Sequence, residues 1–254
     1  MTKPRYLKTI LFDMGGTLED IYFDEEMRLR ATADLASILA SAGIHLPLTI
    51  PELYGSIIAG LRRYKTQQTV ANRELPPERV WADYLLAGLG IPTETIEPLA
   101  DELSDFFETR FFRRDLREGV RDVLVHLRSQ GLRIGMVSNT ISRGQVPALL
   151  RRYGIREYFD PVVLSAVYGW RKPDPKILLH AADLASAKPE ACAYVGDTIS
   201  RDVLGARRAG FGLVVQIPSF LSSQVDTGDE GVKPDARIGH LEELKHLLQH
   251  RLPG

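Results

Sequence analysis

Asp13, Ser138, Lys172 and Asp197, with Asp202 five residues beyond the last, are polar residues in unusual company. Asp13 closes the apolar run LKTILFD, Ser138 and Asn139 close LRIGMVSN, and Asp197 closes ACAYVGD, while Lys172 follows PVVLSAV in the loop GWRKPDP. Each has a plain explanation taken singly. Ser138 suits a loop, Lys172 a solvated surface, and Asp202 the first turn of a helix, where the dipole favours an acid. As a set they do not look scattered. A carboxylate, a hydroxyl, an ammonium and a second carboxylate, all at run ends, form a group that can bind and act on a polar ligand.

The elements that must position them follow from period and punctuation. From Leu116 onward, near-continuous apolar runs alternate with helical patterns such as REGVRDVLVHLRSQG and DPKILLHAADLAS, the latter opened by Asp174 as cap and Pro175 in the first turn. Strand, helix, strand with apolar strands predicts an α/β fold, a Rossmann-like doubly wound parallel sheet covered on both faces. In such a sheet, ligands bind beyond the carboxyl ends of the strands, where these residues fall. PVVLSAV reads as a strand, SFLSSQVDTGDEGVKP as a loose loop and ARIG as a short strand. From Phe23 to Phe112 the pattern is helical, with four helices and almost no strand signal. LKTILFD belongs to the sheet by composition, so the helices read as an insertion after the first strand. The expected division is a core of residues 1–18 plus 113–254 and a helical cap of residues 19–112.

Composition narrows the function classes. The 254 residues carry 32 Lys plus Arg against 33 Asp plus Glu, a net charge of −1, which argues against a nucleic-acid partner. The single cysteine, Cys192, excludes an intrachain disulfide and reads as a buried structural thiol in a reducing compartment. No apolar run is long enough for a signal peptide or a membrane span. A cytoplasmic protein, monomer or homodimer, is expected, with no membrane partner.

Four motifs in order, DMGGTL, VSN, the RKPDP loop and GDTISRD, resemble those of the haloacid dehalogenase superfamily of phosphatases and related hydrolases. The resemblance covers the first 18 residues and Leu116 to the C-terminus. It implies that Asp13 is a nucleophile forming an aspartyl phosphate. Ser138 and the backbone N–H of Asn139 would bind the phosphate of a small phosphorylated substrate, and Lys172 would pair with the nucleophile and the transferring group. Mg²⁺ would sit on Asp13, Asp197 and the backbone carbonyl of Gly15, with Asp202 in support. Three carboxylates against one ammonium leave two negative charges where a phosphate dianion must bind, and one divalent cation cancels them.

Gly15 departs from the family pattern. Phosphatases of the superfamily usually carry a second aspartate two residues after the nucleophile, which protonates the leaving oxygen; glycine has no side chain to do so. General acid or base catalysis contributes about a hundred- to ten-thousand-fold, so the chemistry is expected to be weakened. The acid could come from Glu19 or Asp20, although both read as solvated loop charges, or the leaving group could need none. A haloacid dehalogenase would lack the second aspartate, but also the metal-binding one. A phosphonoacetaldehyde hydrolase would need a cap lysine for a Schiff base, and Lys65 is the one lysine between Glu19 and Arg113, reading as an exposed charge beside Arg62 and Arg63. A catalytically weak protein that binds a phosphorylated ligand and signals by cap closure is the remaining account. A receiver-type phosphoacceptor domain is shorter and has no helical insertion. His246 and His250 read as a helix end favoured by the dipole, not a zinc pair, and Arg62, Arg63 and Arg73 as a solvated helix face. Gly16 is expected in a tight turn.

Overall fold

The computed structural model describes residues 6–228, 231–249 and 251. His250 and the middle of the loop after Pro218, at 229–230, therefore lie outside the described residues, as does the start of the N-terminus.

Thr9–Phe12 (β1) is a short, fully buried strand. It lies between Arg133–Ser138 (β4) and Cys192–Gly196 (β6), and the sheet of the described residues is six-stranded and parallel. Val162–Leu164 (β5) flanks β4, while Leu213–Gln216 (β7) and Ala236–Arg237 (β8) continue beyond β6. Connections run outward from β1 in both directions, so the strand order reverses beside it, and a crevice opens at its carboxyl end. The register aligns Phe12 with both Met136 and Val195, which brings the ends of three strands level. The doubly wound α/β sheet expected from the sequence is the sheet observed.

Helices cover both faces because their apolar residues recur at helical spacing. Val120–Ser129 (α6) buries Val120, Val123, Leu124 and Leu127 in one cluster with Ile10, Phe12 and Met136. Pro175–Leu184 (α9) buries Ile177, Leu178, Ala181 and Ala182 on the other face with Leu11, Val137 and Tyr194. Asp174 caps α9 by accepting from the Lys176 amide at 2.9 Å, as the Asp-Pro pair predicts. Gln145–Arg152 (α7), Ser165–Tyr168 (α8), Leu204–Arg208 (α10), Phe220–Val225 (α11) and Glu243–Leu248 (α12) complete this part.

The residues between β1 and α6 are mostly helical: Glu25–Ser41 (α1), Ile50–Ala71 (α2), Pro77–Val80 (α3) running into a π-turn at Trp81–Leu85, Thr93–Ile96 (α4) and Ala100–Arg110 (α5). They carry their own buried cluster, centred on Leu35, Ile57, Trp81 and Phe107. Trp81 is buried there because its indole N–H finds Ser104 Oγ at 2.8 Å. Of the described helices, none is long and apolar enough to cross a membrane.

Three local expectations are corrected. Glu19–Tyr22 (β2) and Arg113–Leu116 (β3) form an antiparallel ribbon where the helical block joins the sheet; their charged sequences hid it. The strand at PVVLSAV ends at Leu164, because the Ser165 hydroxyl accepts from the Thr140 amide and donates to Glu74, and a helical turn begins there. Part of the loop after Pro218 is α11, held by Ser219 and Ser222 bonding each other's amides at 2.9 Å, a serine version of the capping box.

Candidate functional site

Asp13 is the first residue past β1, and its amide still bonds Val195 O at 2.9 Å, so the ladder fixes its backbone. Lys172 reaches it from the loop after α8. Four acceptors surround the three N–H groups of its ammonium: Asp13 Oδ1 at 2.6 Å, Asp202 Oδ1 at 2.7 Å, the Tyr194 hydroxyl at 2.8 Å and Val137 O at 3.0 Å. The backbone of Lys172 is tied down as well. Asn139 accepts from its N–H and donates to its C=O, both at 2.9 Å.

Burial pushes the Lys172 ammonium down, but Asp13 and Asp202 outweigh it and hold the lysine above its ordinary value. Burial, with the charge of Asp202 acting the same way, raises Asp13 despite Lys172. At Asp202 the balance goes the other way. Burial is outweighed by Lys172, Arg201 and hydrogen bonds from Lys172 and Thr198, which hold the carboxyl below the usual range. Its Oδ2 takes the Thr198 amide at 3.0 Å and hydroxyl at 2.5 Å, inside a π-turn over Ile199–Val203.

Asp197, just past β6, is the unsatisfied member. Ser219 donates to its Oδ2 at 2.7 Å, while its Oδ1 is buried without a hydrogen-bond partner among the described residues. Burial raises this carboxyl well above its ordinary value. Oxygens of Asp13, Asp197 and Asp202 lie within 4.8 Å of one another. An all-oxygen set with one orphaned carboxylate oxygen fits a hard divalent cation. Gly16 makes room for the Asp197 carboxylate. With φ at +86°, a β-carbon there would stand 2.2 Å from Asp197 Oδ2, so the glycine serves both the turn and the close approach.

A cleft between the sheet edge and the helical block takes in Asp13, Gly15, Ser138, Asn139, Lys172 and Asp202. The sequence-based candidates thus converge on one volume, apart from Asp197, which does not line the cleft but shares the acidic cluster with Asp13 and Asp202. Several further lining residues escaped the sequence reading. Arg171 and Arg201 line the cleft beside the motifs that contain them. Behind the lining, Tyr194 inside an apolar strand accepts from Lys172 and donates to Asp202. Lys65 on α2 is exposed, as expected beside Arg62 and Arg63, and also lines the cleft. The surrounding protein, then Arg201, pushes its amine down to about 8.

Arg114 on β3 is the largest omission. Its side chain is 10% exposed and its guanidinium joins Glu19 and Glu108, each at 2.9 Å. Burial is outweighed by these two carboxylates, which raise the arginine further. Glu19, read as a solvated charge, is fully buried, accepting also from the Tyr153 hydroxyl at 2.8 Å. Asp20 is exposed and pairs with Arg117 at 3.0 Å. Arg73 stacks on Trp170 at 4.2 Å, and Arg63 bonds Tyr84 O. Cys192 is buried as expected, its thiol pushed up to about 12 by burial.

A family model for haloacid dehalogenase-like hydrolases matches residues 7–210, which include Asp13, Ser138, Lys172, Asp197 and Asp202. The chain belongs to this family. A glyceraldehyde 3-phosphate phosphatase of Methanopyrus kandleri is 29% identical over 243 residues, 96% of this chain and 97% of that one. A phosphoglycolate phosphatase of Nitrosococcus oceani is 39% identical over 136 residues, 54% of this chain and 58% of its own. Among solved structures of this haloacid dehalogenase-like fold, the 2-haloacid dehalogenase of Pseudomonas syringae superposes with a TM-score of 0.64 at 23% identity, covering 95% of this chain and 98% of that one. CbbY of Rhodobacter sphaeroides, solved with phosphate, gives 0.62 at 21%, covering 94% and 96%.

Proposed function

We propose that the chain is a Mg²⁺-dependent phosphatase acting on a small phosphorylated metabolite through an aspartyl phosphate on Asp13. The observation that carries this reading is the Asp197 oxygen buried without a partner beside Asp13 and Asp202. A dehalogenase would have no use for an unpaired carboxylate there. Phosphatase names among relatives that cover nearly the whole chain point the same way.

Asp13, Asp197 and the Gly15 carbonyl would hold the metal, with Asp202 fixing the cluster through Thr198 and Lys172. When bound, the cation supplies charge compensation for the phosphoryl oxygens. The remaining work falls to the chain. Lys172 orients Asp13 and neutralises charge on the transferring group, Ser138 and the Asn139 amide hold its oxygens, and the Asn139 side chain positions Lys172. Phosphoryl transfer depends chiefly on such placement and charge. Residues 19–112 act as a cap that excludes water and selects the substrate.

A panel of phosphate esters assayed with Mg²⁺ tests this. Turnover should vanish in excess chelator, return on adding Mg²⁺, and be absent in Asp13→Asn; turnover undiminished by chelation or by that substitution refutes it. A second reading, carbon–phosphorus cleavage of an aldehyde held as a Schiff base, is favoured by one observation, the Lys65 amine in the cleft. Borohydride with phosphonoacetaldehyde should then inactivate the protein, and Lys65→Met should abolish the trapping.

A further inference from the structure

We infer that the site takes phosphoryl compounds whose leaving oxygen departs unprotonated, acyl phosphates above all, with Arg114 receiving the departing charge. This rests on the reading of Asp13 as phosphoryl acceptor. Gly15 lacks a proton donor by sequence, and the structure shows what stands in its place. A β-carbon at position 15 would lie 2.8 Å from Ile21 Cδ1 and 3.5 Å from Arg114 Nη1. The direction an aspartate would take is therefore filled by a methyl group and a guanidinium. Guanidinium does not release a proton in proteins, but it stabilises negative charge that develops beside it.

The neighbouring carboxyls are committed elsewhere. Glu19 is shared between Arg114 and Tyr153, Glu108 between Arg114 and Thr140, and Glu74 between Tyr64 and Ser165. Those contacts also orient Arg114. Its Nε donates to Glu108 O at 2.6 Å and its Nη1 and Nη2 to the two carboxylates, which takes three of the five N–H donors of a guanidinium.

An Asp13 oxygen attacks phosphorus, and the bond from phosphorus to the leaving oxygen breaks with its electron pair remaining on that oxygen. A carboxylate leaves without needing a proton; an alkoxide, the conjugate base of an alcohol, does need one. Water then attacks the aspartyl phosphate, restoring the Asp13 carboxylate and releasing dihydrogen phosphate, so both water protons leave with the product. The acid-dependent step is the first, and an acyl phosphate avoids it.

The test compares kcat/KM for acetyl phosphate, a graded series of aryl phosphates and glycerol phosphate, all with Mg²⁺. We expect a steep decline with leaving-group basicity and glycerol phosphate at least about a hundredfold below acetyl phosphate, the scale of a missing general acid. In Gly15→Asp the decline should flatten. In Arg114→Met it should steepen, which mere loosening of the fold, lowering all rates alike, would not produce. Alkyl and acyl phosphates within tenfold of each other in the wild type overturn this inference and leave the phosphatase reading standing. A shallow wild-type profile that becomes steep in Lys65→Met also overturns it, by assigning the proton to Lys65. No turnover of any compound removes both readings.

Discussion

Two buried cations hold this molecule's cleft together, and they do so differently. Lys172 sits at the sheet edge between Asp13 and Asp202, and all its partners belong to strands β4 and β6 or to the segments that follow β1 and β6. Arg114 sits on the ribbon between Glu19 and Glu108, one partner from the ribbon and one from the helical block, and Glu108 also reaches Thr140 beyond β4. The ammonium cluster keeps a buried aspartate oxygen beside it unpaired; the guanidinium cluster pairs every carboxylate it touches. The first is arranged around the reacting carboxylate; the second aligns two parts of the chain and, on our proposal, presents Arg114 to the leaving oxygen.

Removing each cation in turn should separate those roles. Lys172→Met leaves two buried carboxylates facing each other, so activity should fall to background and stability by about 3–5 kcal/mol, the cost of stranding a buried charge. Denaturant unfolding measures the loss, and a stable, active variant would break the contrast. Arg114→Met should cost a comparable share of stability, because Glu19 is fully buried, yet retain measurable turnover of an acyl phosphate. Tyr194→Phe removes one hydroxyl that bonds Lys172 and Asp202. It should cost about 1 kcal/mol and change the turnover number only a few-fold. The smallest effect belongs to Lys65. Below about 8 its amine is charged and assists an anionic substrate, and above that it is neutral. KM should therefore rise as pH passes through that value in the wild type, and Lys65→Met should lose the inflection.

The Lys172 cluster was legible in the sequence and the Arg114 cluster was not. Strand periodicity places Asp13, Ser138 and Asp197 at strand ends, and the ends of a parallel sheet are level, so linear order converts to spatial proximity. No comparable rule reaches Arg114. It stands in RFFRRDLRE, a stretch that reads as solvated charge, and its partner Glu19 lies 95 residues away. Pairing across a short polar ribbon leaves no apolar alternation to detect. Lys65 is as exposed as its flanking arginines suggest, and its place in the cleft lining depends on how the helical block sits over the sheet, which the residues around it do not encode.

The amide of Asn139 is spent wholly on the main chain of residue 172. A lysine stem ordinarily gives up about 2 kcal/mol of rotational freedom when its tip is immobilised. Here the root is riveted by Asn139 and the tip is anchored by Val137, Tyr194 and two aspartates, so that freedom is surrendered during folding. A ligand arriving at Asp13 meets an ammonium that has nothing left to lose, and its binding is spared that entropic toll.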